Sequence, residues 1–447
     1  MSCEIDLHSL TDDEKEKLIK DCTVIPEETE YGQKDGVFCC EVVNNKVYIP
    51  YSYVYHNLTK HYKVFPNENI KFTKWSNEVN FVIDLFPRQL EVLPEILNVL
   101  RETNVVSINL TTGYGKTFLA IHIAWRLKYQ TLFTVFRENL IRQTKESIIT
   151  ACPNAKIQIL DSKCEMKPDM NFFLISTESL TKRSRSDYKN IGLFIIDEYH
   201  TILSSVYSKI LLHVTPKYLV GLTATPYTSN GLGDLVNIFF GYVFVYRSLY
   251  QPYNVYIINS EFKPQVKTTK IGRVDWNDIL KQQCSDYDRN LLIVDIVKYF
   301  QARNILILVK RIEHSINLLN MMKEENIDVD KFSGNQKEYR YDCRVLITTY
   351  SKGGVGFDAP KLDMLIIAGD VDSQFIQYLG RVFRKNGCPI VVDIKDNFPT
   401  LKKHMSNRFI TYLTTGGEIR NFKSSFPEFD EWRGYEKYHP NLKLILK

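Results

Sequence analysis

Val105-Val106-Ser107-Ile108-Asn109-Leu110 runs directly into Thr111-Thr112-Gly113-Tyr114-Gly115-Lys116-Thr117, and then into the helix-patterned run Phe118 to Leu127. An apolar strand that ends in a Gly-rich turn and re-enters as a helix aims backbone N–H groups and the positive helix end at one point. That point suits a polyphosphate. Gly113 and Gly115 let the backbone approach closely, Lys116 brings a point charge and Thr117 a hydroxyl for Mg²⁺. The opening Gly of the longer pattern G-x-x-x-x-G-K-[ST] would fall at Leu110, so the match is to the shorter T-G-x-G-K-T form. Alone, such a turn is also compatible with a surface loop that binds nothing.

At 447 residues the chain has room for roughly two to four domains. With 44% hydrophobic and 24% charged residues it reads as a soluble globular protein. A net charge of +5 is small for this length, so affinity for a polyanion has to come from local clustering. Nine scattered cysteines without a C-x-x-C pair read as reduced thiols in an intracellular protein, cytoplasmic or nuclear, without structural zinc. No stretch approaches the roughly 18 consecutive apolar residues of a membrane span, and no membrane partner is expected.

Residues 1–79 carry no nucleotide chemistry and read as a small accessory α+β domain. Met1 to Glu30 holds ten acids against three lysines, a solvated face. Val37 to Val43 and Lys46 to Ile49 flank Asn44-Asn45, a hairpin turn. The alternating Tyr51, Tyr53 and Tyr55 suit either a core or a base-stacking surface.

From Val79 onward strand-like runs alternate with helical periods, which predicts parallel α/β sheets. Strands are expected at Val105 to Leu110, Thr131 to Phe136, Lys156 to Leu160, Phe172 to Ile175, Leu193 to Asp197 and Tyr218 to Thr223. Tyr227 to Asp234 reads as a hinge. A second series follows at Tyr253 to Ile258, Asn304 to Val309, Arg344 to Thr348, Met364 to Ile367 and Ile390 to Asp393. Helices are expected over Asn277 to Ala302, Ile312 to Glu325 and Gln374 to Arg384. The expected division is 1–79, 80–230, 231–398 and an aromatic, helical C-terminal extension over 399–447.

Leu193 to Asp197 delivers Asp197-Glu198 at a strand end, where open α/β sheets bind ligands. Asp197 suits Mg²⁺, and Glu198 the orientation and deprotonation of an attacking water. An isolated Asp-Glu pair also fits a solvated turn. Tyr199-His200 follows, and His200 reads as a hydrogen-bonded linker between lobes. Thr223-Ala224-Thr225-Pro226 ends another strand. Further on, Gln377, Arg381 and Arg384 share one helix face, and two guanidiniums there suit a γ-phosphate. Gly353 to Asp358 is a second Gly-rich turn. The basic run Lys182-Arg183-Ser184-Arg185 fits a phosphate-tracking surface or a solvated loop.

Taken in order, Phe86-Pro87-Arg88-Gln89, Thr112 to Thr117, Arg137-Glu138-Asn139-Leu140, Asp197 to His200, Thr223 to Pro226, Gly353 to Asp358 and Gln377 to Arg384 resemble the superfamily 2 helicases, D-E-x-H branch. The likeness spans about residues 80 to 395. It is greatest to the group of the poxvirus transcript-release helicase, phage branch-migrating helicases and the helicase subunit of the eukaryotic transcription and repair factor.

The resemblance implies two tandem RecA-like domains and an NTP hydrolase using ATP and Mg²⁺. The implied activity is that of a 3′–5′ DNA helicase in transcription termination, recombination or repair, in a DNA virus or a cell. Gln89 is implied to read adenine. Thr112, Gly113, Tyr114, Gly115, Lys116 and Thr117 hold phosphate, Thr117 and Asp197 hold the metal, and Asp358 lies near the ribose. Lys116, Asp197, Glu198, Gln377, Arg381 and Arg384 form the catalytic set. Arg137, Thr177, Lys310 and Thr349 touch nucleic acid, DNA before RNA, and transcription or replication proteins are the implied partners. Arg88 stands where the family often has an aromatic, and Tyr199 where it has a small residue. A duplex translocase that does not separate strands and an RNA helicase share these motifs; a nucleotide-gated module without turnover would not need all of them.

Overall fold

The computed structural model describes residues 2–25, 36–58, 71–111, 113–136, 138–203, 208, 210–224, 233–247, 251–269, 272, 274–336, 338–353, 361–371, 376–383 and 388–421. The chain forms two compact units, Met1–Arg247 and Ser248–Lys447.

The first unit opens with a three-stranded antiparallel sheet of β1 (Ser2–Asp6), β5 (Lys46–Pro50) and β4 (Glu41–Val43), with a β2 (Thr23–Val24) and β3 (Val37–Phe38) pair beside it. Asn44 and Asn45, both at positive φ, close the expected hairpin between β4 and β5. Tyr51 and Tyr53 are buried, which settles the tyrosine run as core rather than stacking surface. They belong to one apolar cluster with Phe194 and Ile196 of the following sheet and Phe239 of the helix Asp234–Phe240. Ser52 Oγ donates to the Phe239 carbonyl and Ser2 Oγ to that of Leu212. The N-terminal segment therefore shares its core with the sheet that follows it.

That sheet has the order β12-β6-β11-β10-β7-β9-β8, all parallel among the described residues. Its strands are β6 (Val105–Leu110), β7 (Thr131–Val135), β8 (Ile157–Leu160), β9 (Phe172–Ser176), β10 (Leu193–Asp197), β11 (Tyr218–Thr223) and β12 (Phe244–Arg247). Near-continuous apolar runs such as Val105–Leu110 follow from burial on both faces. The sheet extends past the boundary expected at 230, because β12 pairs with β6.

The second unit repeats the plan in the order β15-β16-β14-β17-β18-β13-β19. Its strands are β13 (Tyr253–Asn259), β14 (Ile305–Val309), β15 (Val329–Phe332), β16 (Val345–Thr349), β17 (Met364–Ile367), β18 (Ile390–Lys395) and β19 (Gly417–Asn421). Two parallel seven-stranded sheets clad in helices are tandem RecA-like domains. Two expectations change here. The helix expected over Asn277 to Ala302 is two, Trp276–Ser285 and Tyr287–Tyr299, because Asp286 caps the second by accepting from the Arg289 N–H. The C-terminal extension is not purely helical: after the helix Pro399–Thr414 the chain adds β19 to the sheet edge beside β13.

Two buried ion pairs lock helices onto this sheet from opposite faces. Arg289 Nε donates to Asp396 at 2.8 Å and its Nη2 to the Ala368 carbonyl at 2.6 Å. Arg408 makes a two-pronged contact with Asp393, 2.8 Å on each oxygen, and its Nη1 donates to the Val371 carbonyl at 2.6 Å. Together they fix the segment after β17 that leads to the helix Ile376–Val382. Truncating one partner of such a pair strands a buried charge. Arg408→Leu is therefore expected to cost about 3–5 kcal/mol, read as a lower denaturant midpoint.

Among the described residues no helix is long and apolar enough to cross a membrane. All nine cysteines are free, and no described cluster of His, Cys, Asp and Glu suits a metal ion by itself.

Candidate nucleotide site

The fully buried β6 leads into Thr111, and the turn closes at Gly113 and Gly115, with φ of 79° and 85°. That left-handed backbone favours glycine. A Cβ at Gly115 would also collide with the Gln89 amide. The helix Lys116–Leu127 starts without a side-chain cap, which leaves its first N–H groups for an anion. Lys116 Nζ lies in the turn, donating to the Leu110 carbonyl at 2.9 Å and the Thr111 carbonyl at 3.4 Å. Thr117 follows in the first helical turn. Thr112 lies outside the described residues.

The helix Pro87–Thr103 braces the turn from outside. Gln89 Nε2 donates to the Gly115 carbonyl at 2.9 Å, while its Oε1 accepts from the Phe86 N–H at 2.7 Å. Gln89 is only 1% exposed, so here its amide faces the turn. Arg88, noted in the sequence only as standing where the family often has an aromatic, donates to the Gly113 carbonyl at 2.6 Å, and Tyr114 Oη returns a bond to the Arg88 carbonyl at 2.6 Å. The Arg88 guanidinium also lies over the rings of Phe86 and Tyr114.

Asp197 ends β10, and Glu198 turns in the left-handed region (φ 48°, ψ 51°), a strained conformation for a non-glycine residue. Burial, and then the neighbouring Glu198, push the Asp197 carboxyl up to about 7, against the opposing pull of Lys116. Glu198 Oε2 is buried and makes no hydrogen bond, but His200 Nδ1 stands 3.4 Å away. His200 Nδ1 also lies 2.8 Å from Thr223 Oγ1, and burial holds the imidazole below its ordinary value. His200 therefore links the carboxylate turn to the end of β11 within its own unit. A protonation-prone Asp197 beside a Glu198 oxygen without a hydrogen-bond donor is a donor set that a divalent cation would satisfy. The residues thus fit Mg²⁺.

Tyr199, completely buried, makes the contact least visible in the sequence. Its hydroxyl donates to Asn109 Oδ1 at 3.0 Å and lies 2.8 Å from Ser107 Oγ, both on β6. Strand β11 lies between β10 and β6, and the ring crosses it at Gly221, where a Cβ would clash with the rings of Tyr199 and Phe240. Those two rings stack at 4.5 Å. Tyr199 so ties the carboxylate turn to the strand that carries the phosphate turn. Tyr199→Phe is expected to cost roughly 1 kcal/mol of stability. In steady-state assays it should lower ATP turnover up to about tenfold with KM unchanged, because the carboxylates lose alignment rather than the nucleotide its grip.

Residues 82–228, which contain this whole constellation, match the family model described as "Type III restriction enzyme, res subunit". Protein 161L of Invertebrate iridescent virus 6, named as a helicase, is 35% identical over 451 residues, covering 95% of this chain and 100% of that protein. The chain belongs to the superfamily 2 helicases. This helicase is also 24% identical over 401 residues to the transcript termination protein A18 of Yaba-like disease virus, with 80% and 82% of the two chains covered. In fold it resembles S. cerevisiae Dbp5 bound to RNA and ADP BeF3, with a TM-score of 0.55 at 13% identity over 81% of this chain and 98% of that one. The family is one of NTP hydrolases that bind nucleic acid.

In the helicase's second unit, Arg381 is half-buried on the helix Ile376–Val382, whose Tyr378, Leu379 and Val382 pack into the core. The Gln377 side chain, Arg384 and Asp358 lie outside the described residues. Of the four positions implied for nucleic acid, Arg137 also lies outside them. Lys310 is exposed just after β14. Thr177 and Thr349 are buried at 1% and 4% exposure, with hydroxyls bonded to the Val135 carbonyl and beside Ser351 Oγ. Contact from those two positions would fall to backbone groups. The basic run is structural in part: Arg183 is buried on the carbonyls of Asp161 and Cys164 and pairs with Asp187. Arg185 pairs with Glu41 and stacks on Tyr48 at 3.5 Å.

Proposed function

We propose that this helicase is an ATP-driven motor that moves 3′ to 5′ on DNA and separates strands, in transcription termination, recombination or repair. The observation that carries this reading is the pairing of the Lys116 phosphate turn with the Asp197-Glu198 turn in one bonded assembly. The similarity to a protein named for transcript termination supports the pathway and a partnership with transcription proteins.

Lys116 and the first N–H groups of its helix bind the β- and γ-phosphates of ATP. Glu198 accepts the proton of the attacking water, and its left-handed backbone aims that carboxylate. Thr117 and Asp197 would hold Mg²⁺, which neutralises phosphate charge when bound. Gln89 and Tyr114 keep the turn in shape beside the base, with Asp358 toward the ribose. Arg381 and Arg384 supply the charge that the transferring phosphoryl group requires, and Gln377 faces the same triphosphate from the second unit as a neutral hydrogen-bonding group. Arg137, Thr177, Lys310 and Thr349 follow the strand through its phosphates.

A carboxyl raised to about 7 makes metal binding proton-linked. Raising the pH through 7 removes the proton that competes with the cation. Apparent Mg²⁺ affinity is expected to climb roughly tenfold per pH unit below 7 and to level off above it, measured by titration calorimetry with and without ATP. The function itself is tested with tailed DNA and RNA duplexes: unwinding of 3′-tailed DNA supports it, and unwinding of RNA alone or of 5′-tailed DNA alone overturns it.

A further inference from the structure

The nucleotide chemistry sits at the C-terminal ends of the first unit's strands. The opposite ends carry lysines in a row. Lys217 precedes β11, Lys189 lies four residues before β10, Lys128 three before β7 and Lys156 directly before β8. Lys74 joins them through an antiparallel bridge to Tyr129. The segments are tied into one surface: Thr73 N–H donates to the Asn190 carbonyl, Gly192 N–H to that of Gln130 and Thr131 N–H to that of Asn171. Lys74 and Lys217 both lie over the Tyr129 ring, 5.5 and 5.4 Å from its centroid.

The row is also distinct from those lysines of the protein that are held in ion pairs. Lys15, Lys46, Lys182, Lys267 and Lys298 each pair with a carboxylate. Among the described residues no carboxylate stands within ion-pair distance of Lys74, Lys128, Lys156, Lys189 or Lys217. Asp169, before β9, is a carboxylate within the row. With neighbouring strands about 4.8 Å apart, the step from β11 to β8 makes the row roughly 20 Å long. None of the described exposed large apolar side chains falls along it. A protein partner would want such anchors; a phosphate backbone does not.

We propose that this row is a second nucleic-acid surface, holding the phosphate backbone of a duplex arm away from the strand gripped near the nucleotide site. The inference rests on the reading of the protein as a nucleic-acid motor. It accounts for how a chain of low net charge concentrates affinity.

The test uses the full chain with all five lysines replaced by Gln, and anisotropy titrations against salt with a duplex of about 40 base pairs and a single strand of about 10 nucleotides. Duplex affinity is expected to fall at least about tenfold near 0.1 M salt, and the slope of log affinity on log salt to shrink by about 3 to 4. Binding of the short strand and ATP turnover without nucleic acid should stay at parental values. The matching set of Lys→Arg replacements should restore duplex binding, and a Lys74→Gln/Lys189→Gln pair should give a partial loss should the fivefold variant fold poorly. Unchanged duplex affinity and slope overturn the proposal, as does an equal loss for the short strand. Unchanged duplex binding with lost binding of a polyglutamate peptide overturns it in favour of an acidic protein partner. If the parent protein binds no nucleic acid at all, the motor reading fails; if it binds and the Gln variant binds equally, only this inference does.

Discussion

Glu198→Gln is expected to slow ATP hydrolysis by about 10²- to 10⁴-fold while ATP binding stays near the parental level. The replacement keeps the size and the turn of residue 198 but cannot take a proton from water. Removing the negative charge also relieves Asp197, whose carboxyl is raised in part by its neighbour. The pH at which magnesium binding levels off should therefore drop in the same variant. Single-turnover hydrolysis with fluorescent-nucleotide binding separates the two effects. A variant that hydrolyses at the parental rate would remove Glu198 from the catalytic set.

Arg381→Ala carries the other large expectation, a loss of roughly 10³- to 10⁵-fold in turnover if this guanidinium neutralises the transferring phosphoryl group. Its helix is anchored by Tyr378, whose hydroxyl donates to the Tyr350 carbonyl at 3.0 Å, and by buried Leu379 and Val382. Truncating the half-buried arginine should leave the fold intact, a point checked by an unchanged unfolding midpoint. Arg381→Lys should rescue little, since an ammonium lacks the planar fork that meets two phosphate oxygens. A full-rate Arg381→Ala protein would place the charge elsewhere, with Arg384 the next candidate.

Much of this was readable from local patterns. The strands β6, β10 and β11 announce themselves because burial on both faces demands near-continuous apolar runs, and the phosphate turn because its left-handed backbone favours glycine. The strands that escaped are β1 and β2 in the N-terminal segment and β12, β15 and β19 in the two large sheets. Val329-Asp330-Lys331-Phe332 illustrates why: it lies at a sheet edge, its two middle side chains are half-exposed, and four residues give no period to detect.

Long-range partnerships were silent for a different reason. Arg289 meets Asp396 across 107 positions of sequence, and Tyr199 meets Asn109 across 90, distances over which no local rule operates. The run Lys182-Arg183-Ser184-Arg185 misled in the opposite sense. Its charges looked like a solvated or phosphate-tracking face, but two carbonyls and Asp187 bury Arg183, and Glu41 claims Arg185. A large aromatic at 199 in place of a small residue was the one available hint of the Tyr199 anchor. Its meaning required Gly221, the gap in β11 that lets the ring pass.

The most direct trial of the motor reading is a steady-state ATPase titration of the intact chain with single-stranded DNA, duplex DNA and RNA. Turnover that rises severalfold and saturates with DNA is the expected result. Hydrolysis that no nucleic acid alters, or no hydrolysis under any condition, would contradict it.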